Sequence, residues 1–358
     1  MTSPLVLSLD AMGGDHAPQA VVDGAALFFK GRKRQVRLLL HGDEAQLKPL
    51  VDAHKGLSAL CEIRHTDSEV DMSAKPSEAV RRSRGSSMWN AVEAIRSGEA
   101  HVAVSAGNTG ALMAISKVIL RMKKGVHRPA IAASWPGPKG FTTVLDVGAN
   151  VECPPAQLVE FAIMGEAFHR ALHSVERPTV GLLNVGQEEL KGNGVVRDAD
   201  QLLRSAGLEM DYRGFVEGND ISLGTTDVVV TDGFTGNVAL KTAEGTARLV
   251  AGWVREALTS SVIAKAGAAL LQLGALDQLR AKMDPNSVNG GVFLGLNGIV
   301  VKSHGGTDAA GFATALRIAL EMADSAFLNQ IEHNLSLLAA AQEEDSETGQ
   351  AALQQETA

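Results

Sequence analysis

Six near-continuous runs of Val, Leu, Ile and Ala punctuate this chain, and each ends in a polar loop rich in Gly, Asp, Asn or His. They are LVLSLDAMGGDH (5–16), HVAVSAGNTGA (101–111), TVLDVGANV (143–151), VGLLNVGQEELKGN (180–193), DVVVTDGFTGNVALK (227–241) and GIVVKSHGGTDA (298–309). Apolar runs followed by stretches of helical period read as parallel strands buried on both faces. QVRLLLHGD (35–43) reads as a further strand. SSMWNAVEAIRSG (86–98) reads as a helix stopped by Gly98. PPAQLVEFAIMGEAFHRALHSV (154–175) reads as a long helix opened by Pro, whose missing N–H costs nothing there. The pattern predicts an α/β fold: a doubly wound, mostly parallel sheet with helices on both faces. No long Pro- or Ser-rich linker interrupts it, so residues 1–341 are expected to form a single α/β domain.

One stretch breaks the rhythm. Residues 244–283 read as two helices interrupted near Ser260–Gly267, longer than a typical crossover. Leu249, Trp253, Leu258, Leu270, Leu273 and Leu276 give it apolar surface with little charge. A protruding helical hairpin is expected. The tail 342–358 holds Glu343, Glu344, Asp345, Glu347 and Glu356 and no Lys or Arg, and reads as disordered.

Composition narrows the class. The chain has 358 residues, 45% hydrophobic, enough for a sizeable core. Its net charge of -8 and its 4% aromatic content argue against a nucleic-acid surface. Much of that charge lies in the tail. Cys61 and Cys153 form no CxxC pair, which fits a reducing compartment. The N-terminus has no basic region before its short apolar run, so no signal peptide is expected, and no run is long enough to span a membrane.

In an open α/β sheet, ligands bind outside the carboxyl ends of the strands. The chemistry is therefore expected where the six loops converge. The first supplies Asp10, Gly13, Gly14, Asp15 and His16; the second, Ser105, Asn108 and Thr109 before a helix start that favours anions. The third ends in Asn150. The fourth sets Lys191 beside Glu188, Gly192 and Asn193, a point charge suited to phosphate. The fifth adds Asp232, Gly233, Thr235, Asn237 and Lys241, and the sixth Lys302, His304, Gly305 and Asp308. No GxGxxG, Walker, HExxH or GxSxG motif occurs. His169 and His173, one helical turn apart, read as a solvated helix face. So do the basic clusters Lys30–Arg34, Arg81–Arg84 and Arg121–Lys124, with an acidic protein partner as their sharper alternative.

Together these stretches resemble a family. LDAMGGDHAP (9–18), MSAKPSEAVRRSRGSSM (72–88), SAGNTGALM (105–113), RPAIA (128–132), LDVGAN (145–150), VGLLNVGQEELKGN (180–193), DVVVTDGFTGNVALKTAEG (227–245) and SHGGTDA (303–309) are similar to the bacterial acyl-acyl carrier protein:phosphate acyltransferases, the PlsX family. The resemblance implies a fold like isocitrate and isopropylmalate dehydrogenases and phosphate acetyltransferase. It implies transfer of a fatty acyl group from acyl-acyl carrier protein to inorganic phosphate, giving acyl phosphate for phospholipid synthesis. It also implies a cytoplasmic homodimer in peripheral contact with lipid at the inner membrane face, upstream of a glycerol-phosphate acyltransferase. Lys75 and Arg81 join the substrate-binding candidates through it. No metal, cofactor or nucleic acid is expected.

This chemistry suits the residues. Phosphate is a ready nucleophile, so no Ser or Cys nucleophile is required. Lys191, Lys241 and loop N–H groups can hold phosphate. Asn108, Asn193, Asn237 or His304 can donate to the oxyanion, and Asp232 reads as orienting a Lys or His. The alternatives are an NAD-dependent β-decarboxylating dehydrogenase of the same fold and a non-catalytic membrane scaffold for lipid enzymes.

Overall fold

The computed structural model describes residues 4–30, 36–261, 264, 289–325 and 327–337. The strands are β1 (Leu5–Asp10), β2 (Val36–Gly42), β3 (Cys61–His65), β4 (Val102–Ser105), β5 (Ala130–Gly137), β6 (Gly140–Leu145), β7 (Thr179–Leu183), β8 (Asp211–Val216), β9 (Val228–Val230), β10 (Gly291–Leu294) and β11 (Ile299–Lys302). Between them run α1 (Gln19–Phe29), α2 (Glu44–Ala53), α3 (Pro76–Arg82), α4 (Ser87–Arg96), α5 (Thr109–Leu120), α6 (Pro155–His173), α7 (Gly194–Ser205), α8 (Gly218–Leu223) and α9 (Gly233–Thr259), and α10 (Ala309–Asp324) follows β11.

All eleven strands join one sheet in the order β3-β2-β1-β4-β11-β10-β5-β6-β9-β7-β8. Alternate residues of one strand face opposite layers. Val228 and Val230 enter one core with α1, α6 and α10, whereas Val229 enters the other with α5. Ile299 and Val301 divide from Val300 in the same way. Both faces are thus covered, which is why these runs are apolar throughout.

Three pairings depart from the parallel scheme: β11–β10, β10–β5 and β5–β6 are antiparallel. They reverse the sheet at its centre. β1, β4 and β11 run one way, and β6, β9 and β7 run the other. The six polar loops therefore do not converge on one point, as the sequence pattern alone suggests. They sort into two groups that leave the sheet at opposite strand ends.

α9 has 27 residues and is capped by Asp232. From Gly245 onward its residues are exposed or half-exposed, including Leu249 and Trp253. It ends at Thr259, where the expected break begins. The second helix of the expected hairpin, with Leu270, Leu273 and Leu276, lies outside the described residues. So do the tail 342–358 and residues 31–34 of the first basic cluster.

Candidate active site

The first group of loops is built on three neighbouring parallel strands. Asp10 ends β1 and is fully buried; its Oδ2 accepts the Ser105 hydroxyl at 2.6 Å. Ser105 Oγ in turn accepts the Gly107 N–H at 3.0 Å. The Asp15 N–H reaches Gly305 O at 2.9 Å, and the Ser303 N–H reaches Ser105 O at 2.9 Å. Gly13 packs so tightly that a Cβ would strike the Asp10 carboxylate, and Gly14 sits at φ +115°, which favours glycine. Asp15 and His16 are exposed at the rim.

Lys302 ends β11 inside this group. Its Nζ donates to Ala106 O at 3.3 Å and to Ser303 O. Burial lowers its ammonium to about 8, while Asp10 and Asp15 pull it up and Lys241 pushes it further down. The Asp10 carboxyl is raised by burial, against the hydrogen bond from Ser105.

Segment 72–84 borders the same turns. Asn108 Nδ2 donates to Met72 O at 2.7 Å and to Ala74 O at 3.0 Å, while its Oδ1 caps α5 at Ala111 N. Its amide is spent on structure, so it has no N–H for an oxyanion. Thr109 is exposed at the start of α5, and Lys75 and Arg81 are exposed on and beside α3.

The second group lies beyond β6, β7 and β9. Asp146 follows β6 and accepts the N–H groups of Ile131, Ala149 and Asn150. The Asn150 side chain donates to Pro129 O and to Asp146, so this buried amide faces inward and is not presented to a substrate. The Gly233 N–H donates to Asn150 O at 2.6 Å, and a Cβ at Gly233 would stand 2.6 Å from that oxygen. Asp232 accepts Thr235 N and Thr235 Oγ1, which fixes the start of α9. Asn237 lies against Gly148. Asn193 caps α7 through Oδ1 at Val196 N, leaving its Nδ2 to donate elsewhere. Gly192 takes φ +86° between Asn193 and Lys191, whose Nζ is 4.0 Å from Glu188 Oε1 on the exposed loop.

α9 joins the two groups. It starts at Asp232 in the second and, at 1.5 Å per residue, reaches Glu244 about 18 Å further on. There Glu244 Oε1 lies 3.2 Å from His304 Nε2, and Oε2 accepts Lys241 Nζ at 2.9 Å. Arg248 stands 3.5 Å from the same carboxylate. Burial raises the Glu244 carboxyl, but the bonds from Lys241 and His304 outweigh it and hold the group below its ordinary range. Neither Glu244 nor Asn289 stood out in the sequence. Asn289 is buried, donates to Ser303 Oγ and Thr307 Oγ1, and accepts the His304 N–H, so it shapes the turn that presents His304. A lone Glu in a helix and a lone Asn before a strand carry no motif.

Other expectations are corrected. His169 and His173 are not a solvated face, because α6 packs into the core. His169 Nδ1 lies 3.0 Å from Thr143 Oγ1, and His173 Nε2 lies 3.1 Å from Ser134 Oγ. Lys123 is likewise buried, paired with Glu332 at 3.0 Å. Burial pushes the thiols of Cys61 and Cys153 up to about 12, far from a reactive thiolate. Asp43, His65 and Asp67 lie close enough to share a metal ion, but Asp43 already caps α2 at Ala45 N.

The architecture is that of the phosphotransacetylases. A phosphotransacetylase from Streptococcus pyogenes superposes with a TM-score of 0.62 over 89% of this chain and 94% of its own, at 15% identity. A 4-hydroxythreonine-4-phosphate dehydrogenase from Klebsiella pneumoniae gives 0.54 over 90% of this chain and 100% of its own, at 12% identity. At such identities the likeness is one of fold. Residues 5–330 match the family described as fatty acid synthesis protein, and the chain belongs to that family. The phosphate acyltransferase of Maricaulis maris is 65% identical over 346 residues, covering 96% of this chain and 99% of that one. That of Caulobacter vibrioides is 58% identical, covering 95% and 94%.

Proposed function

We propose that this protein is a phosphate acyltransferase that moves a fatty acyl group from acyl-acyl carrier protein to inorganic phosphate. The observation that carries the reading is the meeting of Lys241 and His304 on Glu244 beside glycine turns that let a ligand approach the backbone. A lysine ammonium, an imidazole N–H and turn N–H groups so placed suit a phosphate dianion. The high identity to phosphate acyltransferases over nearly the whole chain supports the same reading.

On this reading Lys241, His304 and the backbone of Gly14 and Gly305 hold phosphate. A phosphate oxygen attacks the thioester carbonyl, the C–O⁻ of the tetrahedral intermediate accepts donors, and the C–S bond breaks. Asn237, one helical turn before Lys241 on α9, is the amide placed to donate to that oxyanion, where one donor is worth roughly 10²–10³ in rate, while Lys191 and Asn193 in the second group contact the acyl donor. Asp232 acts by fixing α9 rather than by attacking. Lys75, Arg81 and His16 border the entrance used by the carrier.

Residues 1–341 then form one catalytic domain with its arm at 244–283, and the acyl phosphate feeds phospholipid synthesis through a glycerol-phosphate acyltransferase. Homodimerisation, a cytoplasmic location and peripheral lipid contact belong to the same reading. Among the described residues no helix is long and apolar enough to cross a membrane.

The test is thiol release from a long-chain acyl-acyl carrier protein. Free carrier thiol should appear only when phosphate is added, with no need for metal or nucleotide. Equal release without phosphate would mean a thioesterase and would end the proposal.

A further inference from the structure

Lys302 is placed differently from the other cations of the site. Lys241 meets Glu244, and Lys191 lies near Glu188. The Lys302 ammonium instead rests on two backbone carbonyls, Ala106 O and Ser303 O. An ammonium has three N–H donors, so one remains for a bound ligand. The carbonyls belong to the β4 and β11 turns, which glycine lets pack closely: a Cβ at Gly14 would stand 3.1 Å from Gly305 O, and one at Gly305 would stand 3.1 Å from Met72 Cε. Charge reaches Lys302 from each neighbouring element: Asp10 at the end of β1, Asp15 in the turn after it, and Lys241 on α9.

We propose that Lys302 is the catalytic residue that protonates the departing carrier thiolate. The inference rests on the acyl-transfer reading given above. A phosphate oxygen of HPO₄²⁻ bonds to the acyl carbon, the C–S bond breaks, and its electron pair stays on sulfur. The Lys302 ammonium gives that sulfur a proton. The neutral amine then takes up the proton that the hydrogen phosphate loses on becoming acyl phosphate. The sum is thioester plus HPO₄²⁻ giving acyl phosphate dianion plus thiol, with no proton left over. Protonation also blocks the return reaction, because the thiolate rather than the thiol is the nucleophile. Burial supports the assignment. It holds the lysine at about 8, close to an ordinary thiol near 8.5 and far better matched than a free lysine near 10.4.

The experiment uses the full chain with saturating phosphate and two acyl donors. One is the acyl-acyl carrier protein. The other is an aryl thioester of the same acyl chain, whose thiol is about two pKa units more acidic and leaves without help. Lys302→Met removes the proton; Lys302→Arg keeps the charge but cannot release a proton. Both variants should lose about tenfold or more in kcat on the carrier thioester. Both should stay within about threefold of the parent on the aryl thioester, with little change in KM for phosphate. The parent's kcat should also fall above pH 8, and Lys302→Arg should lack that fall. Equal losses on the two thioesters would overturn the assignment in favour of structural support. A raised KM for phosphate with kcat kept would overturn it in favour of a phosphate ligand. Absence of phosphate-dependent thiol release in the parent would overturn the acyl-transfer reading, and this proposal with it.

Discussion

His304 Nε2 and Glu244 Oε1 lie 3.2 Å apart although 60 residues separate them in sequence. The pair connects the turn after β11 to the middle of α9. Because Glu244 also holds Lys241 and Arg248, one carboxylate fixes three basic side chains. Glu244→Ala should therefore loosen Lys241 and His304 together. KM for phosphate should rise about fivefold, equivalent to about 1 kcal/mol, and the melting temperature should move by little. A phosphate saturation curve decides it: an unchanged or lower KM would remove Glu244 from phosphate positioning.

Lys191 offers a contrast, since its side chain is about half exposed and only loosely paired with Glu188. Lys191→Ala should lower turnover by about an order of magnitude, while an exposed Lys rarely carries stability. Turnover near normal at low acyl-donor concentration, in a variant of parental melting temperature, would take Lys191 out of the site.

Two histidines tie stability to pH. Burial holds His41 and His173 at about 4, against about 6.5 in an unfolded chain, so the folded form binds fewer protons between those values. Stability from these groups is complete above pH 6.5 and is lost as pH falls toward 4, on the order of 2–3 kcal/mol each. Asp10 and Asp146, raised by burial, act in the opposite sense. The clean measurement is therefore a difference between variants. The drop in urea midpoint from pH 7 to pH 5 should be smaller in His173→Gln than in the parent. Identical drops would mean His173 carries no proton linkage.

Gly236 lies where α9 starts against the β6 loop. A Cβ there would collide with the Asp146 carbonyl, which is backbone and cannot swing aside. Gly236→Ala should cost about 3 kcal/mol or more and shift α9, so thermal stability and activity should fall together. Retention of both would show that the loop can retreat.

The sequence made part of this legible. The six Val- and Leu-rich runs are β1, β4, β6, β7, β9 and β11, because burial on both faces removes polar alternation. Other strands were harder to see. β3 (CEIRH) and β8 (DYRGFV) are sheet edges and keep charged side chains. β5, which ends Ser-Trp-Pro-Gly, and the four-residue β10 mimic loops. Missing β5 and β10 concealed the reversal of the sheet, since they carry its antiparallel pairings. The same blind spot extends to the site. Loop composition located Lys302 and His304, but partners such as Glu244 and Asn289 depend on tertiary contact alone.

The position of β11 has a consequence for the order of assembly. It lies between β4 and β10, so the central strand beside β4 comes from near the end of the chain. Lys302 meets Ala106 across 196 residues. During synthesis, β1 and β4 with their turns leave the ribosome long before the lysine that completes them. Contacts of such sequence separation form slowly and only after the intervening chain has ordered. Turnover in a refolding chain should thus be a late signal, one that reports closure of the whole sheet rather than of either half.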